Sequence, residues 1–364
     1  MEQHDATSTE GRDGDPSRAG GMRGFGAAVC LALALGGGAS AQAAPSVELL
    51  DFDDLKGWKT DNHAEALAAF RETCPDLPDP PWTALCALSE RQSNARSFFE
   101  LFFRPVLIGG DSPALFTGYF EPVLKAARAP DARFRYPIYR LPPDLPTDRP
   151  WFSRREIAED GHLDGQGLEI AWLEDPVDVF FLQVQGSGRL SLPDGTLLRV
   201  GYGGKNGHDY RSIGRELVRR GVYQPHQVSA RVIRSWVRRH PEAGAELLLH
   251  NPSFVFFREL DRLPPGKGPL GAMNRPVTPM RSLAVDPSLV PLGAPVWIEK
   301  GGRHPLHRLM VAQDTGSAIK GPQRADIFYG TGAGAGRLAG AVRDPGRMIV
   351  LLPVELALAL LPGG

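Results

Sequence analysis

Two aspartates, Asp314 and Asp326, stand twelve residues apart in the stretch Leu309-Met-Val-Ala-Gln-Asp314-Thr-Gly-Ser-Ala-Ile-Lys320-Gly-Pro-Gln-Arg-Ala-Asp326-Ile-Phe-Tyr-Gly330. An apolar run delivers Asp314 to a glycine turn, and a second apolar run starts directly after Asp326. Carboxyls at strand ends around one loop can share a cleft, where burial holds one of them protonated as a general acid. Asp286, in Ser282-Leu-Ala-Val-Asp286-Pro, is a third candidate, better suited to stabilising the loop into Pro287. All three also read as plain turn residues, since Asp beside Gly or Pro is ordinary loop chemistry.

Other motifs carry less. Asp314-Thr-Gly-Ser317 matches half of an aspartic-peptidase site, whose chemistry needs two such carboxylates sharing a proton. Gly334-Ala-Gly-Arg-Leu-Ala339 mimics a dinucleotide fingerprint, yet only 25 residues follow it, too few for the remainder of such a sheet. Its glycines are expected to serve turns and close packing. His304 and His307 have no acidic or Cys partner at ligand spacing, so no metal site is expected. Gly186-Ser187-Gly188 lacks the first glycine of a nucleophile elbow, its place being taken by Gln185. Gln183, Gln185 and Ser187, read as a strand end, instead offer amide and hydroxyl groups suited to sugar hydroxyls and acetamides, or simply form a polar turn.

The elements that must position these residues are mostly short strands. Segments such as Phe116–Leu124, Arg135–Leu141 and Val177–Gly186 read as strands split by Pro, Gly and Asp turns. Residues 130–150 are proline-dense and read as a long loop with edge strands. A helical block is expected over Tyr210–Arg219, Ala230–Arg239 and Ala243–Leu249, with Pro241 in a first turn. Short strands return at Phe254–Phe257, Ser282–Val285, Pro295–Glu299, Arg308–Gln313, Ile327–Tyr329 and Met348–Leu352. Without alternating helices, this pattern argues for a mainly β fold with a closed barrel. Nearer the N-terminus, Asp61 and Ser93 are expected to cap two helices whose Phe and Leu stripes form core.

Within the 364 residues, 41 basic side chains nearly balance 42 acidic ones, so nothing suggests the clustered basic excess that a nucleic-acid groove or an anionic-lipid surface wants. Residues 1–21 are polar. From Met22, one arginine, an apolar run too short to span a bilayer, and an Ala-Gln-Ala ending read as a secretory signal cleaved after Ala43 or Ala44. No later apolar run reaches membrane-spanning length. Cys74 and Cys86 then remain as an exported pair closing a short loop, which favours a disulfide over a metal site.

Taken together, several segments resemble the membrane-bound lytic murein transglycosylase A family. They are Phe116-Thr-Gly-Tyr-Phe-Glu-Pro122, Phe180-Phe-Leu-Gln-Val-Gln-Gly-Ser-Gly-Arg189, Asn251-Pro-Ser-Phe-Val-Phe-Phe257, Ser282–Pro287, Val290–Gly293, and Asp314 through Gly330. The last three also resemble the three-aspartate domain, at Asp286, Asp314 and Asp326. The resemblance runs from about Trp58 to the C-terminus. It implies a double-psi β-barrel built from residues 45–122 and 251–364, with a β-rich domain, 123–250, inserted as the other wall of a glycan groove and residues 1–44 lying upstream. It also implies Asp326 as the catalytic acid, Asp314 beside it, and Thr117, Gly118, Tyr119, Gln183, Gln185 and Ser187 along the groove. Family members are typically outer-membrane lipoproteins. Here no Cys follows the small-residue run, so the expectation is a periplasmic protein, with outer-membrane association and other cell-wall enzymes as partners left open.

The implied reaction cleaves the MurNAc-β-1,4-GlcNAc bond and leaves a 1,6-anhydro end, with no cofactor. A single acid suffices because the muramoyl C6 hydroxyl replaces water as nucleophile, with the effective-molarity advantage of an intramolecular group. Asp326 must then titrate above the free value of ~3.9, raised by burial and by an ionised Asp314, and opposed by any nearby Lys320 or Arg324. A hydrolase on the same barrel would need a second carboxylate, Asp314 or Glu121. A wall-binding protein would need no perturbed Asp326.

Overall fold

The computed structural model describes residues 45–264 and 266–360. The expected signal segment lies outside the described residues. Among the described residues fourteen strands are formed: β1 (Val47–Leu49), β2 (Phe103–Ile108), β3 (Ala114–Glu121), β4 (Val123–Ala127), β5 (Tyr136–Tyr139), β6 (Glu169–Leu173), β7 (Gly188–Ser191), β8 (Leu197–Lys205), β9 (Val255–Glu259), β10 (Ser282–Val285), β11 (Pro295–Lys300), β12 (Leu306–Thr315), β13 (Arg324–Thr331) and β14 (Arg343–Pro353).

One sheet runs β1-β2-β14-β11-β12-β10-β13-β3, and β3 pairs back onto β14, so six of its strands close into a barrel. Its pairings are mixed: β10–β12 and β13–β3 run parallel, the others antiparallel. Alternation along the strands fills the interior with Phe116, Leu283, Val285, Val296, Ile298, Met310, Ala312, Ala325, Ile327 and Val350, all essentially without solvent exposure. Helices His63–Thr73, Pro80–Ser89 and Ala95–Phe102 cover the barrel through a cluster of Phe70, Trp82, Phe98, Phe99 and Phe103 rings. A Cys74–Cys86 disulfide joins the first two of these helices.

The N-caps of the first and third helices are Asn62 and Asn94, one residue beyond the expected Asp61 and Ser93. Asp61 is engaged elsewhere: its carboxylate pairs with buried Arg281 at 2.8 Å and accepts the Leu309 amide at 2.9 Å. That contact fastens the helical cover to β12.

The second sheet runs β5-β6-β4-β7-β8-β9, and one bridge, Arg140–Phe257, joins its two edges. The expected return to the barrel at residue 251 falls later, because β9 pairs with β8 through Glu259. The larger correction is the segment Val177–Gly186, expected as a strand and found as helix Pro176–Gln185. Its β-branched and aromatic content suggests a strand, but its ends decide otherwise. Asp175 accepts the Val177 amide, Pro176 sits in the first turn, and Gly186 closes the helix in the left-handed conformation, φ 75°. This helix packs Val179 and Leu182 on the sheet and Val177, Phe180 and Phe181 on the helices Ile213–Arg219, Ala230–Arg239 and Pro241–Leu249. Ser212 caps the first of those three, so the helix starts at Ile213 and leaves Tyr210 ahead of it.

Candidate active site

Asp314, Ala284, Asp326 and Thr117 form one row across four adjacent strands. Ala284 on β10 pairs with Asp314 of β12 on one side and Asp326 of β13 on the other, and Asp326 pairs with Thr117 of β3. Neighbours in register point to the same face, here away from the barrel interior. A β-bulge makes the row possible. Leu283 and Ala284 are consecutive, but their partners are Ala312 and Asp314, so Gln313 is the extra residue. Gln313 points under the helical cover, where its amide donates to the Ala69 carbonyl at 3.0 Å, and the extra residue turns Asp314, which would otherwise follow Ala312 into the interior, outward as well. Two strand spacings separate the backbones of the aspartates by about 10 Å, and the small Ala284 side chain leaves the space between them open.

That space is one end of a cavity of about 240 Å³, lined on the barrel side by Tyr119, Ala284, Asp314, Ile319 and Asp326. From the second sheet and its helices, Arg154, Gln183, Gln185, Tyr210, Asn251 and Ser253 face it.

The two carboxyls are held differently. Asp326 Oδ1 accepts the Thr117 hydroxyl at 2.7 Å, and Thr117 Oγ1 in turn accepts Arg324 Nη2 at 2.8 Å. Thr117 accepts from the guanidinium and gives its single proton to Oδ1, so with that bond in place Oδ2 is the oxygen able to carry a proton. Burial raises the Asp326 pKa, while the Thr117 hydrogen bond and the Arg324 charge oppose the rise. Asp314 Oδ1 accepts two backbone amides, Ala272 at 3.0 Å and Thr315 at 2.9 Å. Burial nonetheless pushes Asp314 up to about 6, and the Asp326 charge adds to the rise. The repulsion between the two carboxylates is mutual, so each disfavours the other's charged form. Like charges in one cavity titrate as a pair. Buried Tyr119 faces both carboxyls, its phenol pKa driven upward by burial and by the Asp314 charge, and its hydroxyl makes no well-formed hydrogen bond.

The remaining expected residues divide. Gln185 lines the cavity and also accepts the Phe120 amide at 3.0 Å, tying the helix end to β3. Gln183 lines it too, donating from Nε2 to the Val255 carbonyl at 3.2 Å. Ser187 is buried past the helix end and Gly118 lies behind the row, neither lining the cavity. A Cβ at Gly118 would come within 2.7 Å of Ala339 Cα, so its lack of a side chain lets helix Gly332–Ala339 lie on β3. That helix is what the glycine-rich 334–339 segment forms, in place of turns.

Asp286 stands apart. Burial pushes its carboxyl up, but donors from Gly321 and Ser288 outweigh this and hold it below the usual range. Lys320 lies 3.8 Å from Asp286, and Arg324 is the cation felt by Asp326. Glu121 is fully buried against Arg189 at 2.7 Å and Thr331 at 2.7 Å, away from the cavity, and so is no candidate base. Arg154 and Tyr210 gave no sequence signal. Arg154 lies within the charged run Arg154-Arg-Glu at a helix start, which reads as a solvated face.

Residues 115–258 match the family model described as the MltA specific insert domain, and residues 281–352 match the 3D domain. Membrane-bound lytic murein transglycosylase A of Vibrio cholerae is 41% identical over 257 residues, 66% of this chain and 66% of that protein's length. A crystal structure of membrane-bound lytic murein transglycosylase from Agrobacterium tumefaciens superposes with a TM-score of 0.78 at 35% identity, covering 86% of this chain and 99% of that one. The chain belongs to the lytic murein transglycosylase A family. Escherichia coli MltA, solved with bound chitohexaose, matches at 32% identity and a TM-score of 0.67, over 86% of this chain and 92% of that one. Among the described residues no helix is long and apolar enough to cross a membrane, and no group of three or more His, Cys, Asp or Glu is placed to hold a metal ion.

Proposed function

We propose that this chain is a peptidoglycan lytic transglycosylase, cleaving the MurNAc-β-1,4-GlcNAc bond with formation of a 1,6-anhydro-MurNAc end. The observation that carries this is one cavity holding two carboxyls of raised pKa on a single strand row, in a chain of this family. Asp326 is the acid and base. Its Oδ2 gives a proton to the glycosidic oxygen as the bond from that oxygen to C1 breaks. The muramoyl C6 hydroxyl closes on C1, and its proton passes to the Asp326 carboxylate, which restores the acid. No water is consumed. Two backbone amide donors oppose the effect of burial on Asp314, and above about pH 6 its carboxylate is suited to stabilising positive charge developing at C1. Tyr119, Gln183 and Gln185 are substrate contacts, and Thr117 acts on Asp326 rather than on the sugar.

The barrel is taken as a double-psi β-barrel made from the N- and C-terminal portions, with the second sheet and its helices as an insertion and the cavity as part of a glycan groove between them. The chitohexaose complex of Escherichia coli MltA supports an extended hexosamine ligand. Export through a cleaved leader would place the enzyme in the periplasm, and the membrane-bound relatives leave association with the outer membrane as part of the proposal. Asp286, in this reading, supports the 286–321 loop pair and not the chemistry. Digestion of purified sacculi by residues 45–364, followed by mass spectrometry, tests the reaction. Muropeptides lighter by one water and without a reducing end are expected, whereas reducing-end products would replace this reading with a hydrolase.

A further inference from the structure

Arg154 is buried at 7% exposure, and among the described residues it pairs with no carboxylate. Its Nε donates to the Asn251 carbonyl at 3.1 Å and its Nη2 to the Ser253 carbonyl at 2.6 Å, while Nη1 makes no hydrogen bond. The guanidinium lies over the Phe180 ring at 4.8 Å and the Phe254 ring at 5.1 Å. Backbone carbonyls and ring faces thus hold the cation in place of a counter-ion. Burial lowers its pKa to about 9, so it stays charged at neutral pH.

One helical turn after Phe180, on the same face, comes Gln183, at 4% exposure. Its amide orientation is set because only Nε2 can donate to the Val255 carbonyl. Oε1 is then a buried acceptor with no partner in the protein. Both residues line the cavity that also holds Asp314 and Asp326. A buried acceptor left without a donor is costly, and such groups mark places where a ligand completes the network.

We infer that Arg154 and Gln183 form a reader for the 2-acetamido group of a hexosamine, with the guanidinium donating to the acetamide carbonyl and Gln183 Oε1 accepting its N–H. A carboxylate would suit the guanidinium but set a second acceptor against Oε1. A hydroxyl would leave unused the apolar surface of Val184 and Val255, which line the same wall and fit the acetamide methyl. An amide matches donor, acceptor and methyl together. A site built this way rejects the analogue lacking the amide, because its own polar groups are then left unpaired.

This inference rests on the glycan reading above and is tested by binding alone, in the Asp326→Asn background where turnover is removed. Calorimetry compares chitohexaose with the fully N-deacetylated glucosamine hexamer, at a pH above the amine pKa but below the Arg154 value of about 9, so that both ligands are neutral and the guanidinium is charged. Chitohexaose is expected to bind about tenfold or more tightly than the deacetylated hexamer. Gln183→Met, which keeps length and helix, should bring the two affinities within about threefold by weakening chitohexaose only. Arg154→Lys should do the same if it folds. A merely structural role would weaken both ligands equally, and an unchanged ratio in folded Gln183→Met overturns the inference alone. Absence of binding to either hexamer overturns the glycan reading and this inference with it.

Discussion

The two walls of the cavity are built from different materials and do different things. The barrel wall is a strand row, in which register and one bulge place Asp314, Asp326 and Thr117 with few degrees of freedom. The second wall is made of helix ends and loops: Gln183 and Gln185 at a helix C-terminus, Tyr210 just before a capped helix, and Arg154 clamped to the 251–253 segment. The first wall holds titratable groups whose pKa values are raised by burial. The second holds donors and acceptors, with one orphaned amide oxygen. A division follows: substitutions in the strand row at Asp314, Asp326 and Thr117 should act on kcat, and those on the second wall on KM.

The largest break in that comparison is Asp326→Asn. It should lower turnover about a thousandfold while chitohexaose affinity is kept; retention of activity in a folded Asp326→Asn protein would remove the barrel wall from the chemistry. Asp314→Asn should cost less, about thirtyfold in kcat, and carry a gain elsewhere. The folded Asp314 pKa of about 6 lies above the free carboxyl value. The folded chain therefore keeps a proton that the unfolded chain gives up. The group is neutral to stability in strong acid; its destabilising effect builds as pH rises from the free carboxyl value of about 4 and is complete once pH passes about 6. Thermal unfolding at neutral pH should show Asp314→Asn more stable than wild type by on the order of 1 kcal/mol, with the difference vanishing in acid.

Thr117→Val should lower kcat about tenfold. Because the lost hydrogen bond held the Asp326 pKa down, the limb of the pH–rate profile on which the acid loses its proton should move to higher pH. A Thr117→Val effect on KM alone would return that residue to the substrate-binding group. Smallest is Tyr210→Phe on the second wall, for which steady-state kinetics should give a KM raised about threefold with kcat unchanged.

How much of this could be read from the chain follows the same division. The spacing of Asp314 and Asp326 between apolar runs was enough to mark them, because strand ends delivering carboxyls to a loop leave a one-dimensional trace. The bulge at Gln313 leaves none, since it depends on which strand β12 meets, and without it Ala284 would face Gln313 instead of Asp314. Val177–Gln185 misleads by composition: its residues favour a strand, and only Asp175-Pro176 and Gly186 at its ends betray the helix. Gly118 marks a close approach by helix Gly332–Ala339, which sequence separation of more than two hundred residues conceals. Arg154 was illegible because a charged run at a helix start normally faces water. Its burial follows from two rings and two carbonyls contributed by segments far along the chain.

The central claim is that the barrel wall supplies one proton-transferring carboxyl and the substrate supplies its own nucleophile. Digestion of sacculi in oxygen-18-labelled water, with the products weighed by mass spectrometry, puts that claim to its most direct test. Unlabelled products ending in anhydro-muramoyl residues are expected, because no water oxygen enters the bond that forms. One labelled oxygen per cleaved linkage, on a reducing end, would mean that water attacks C1 and that Asp314 serves as its base.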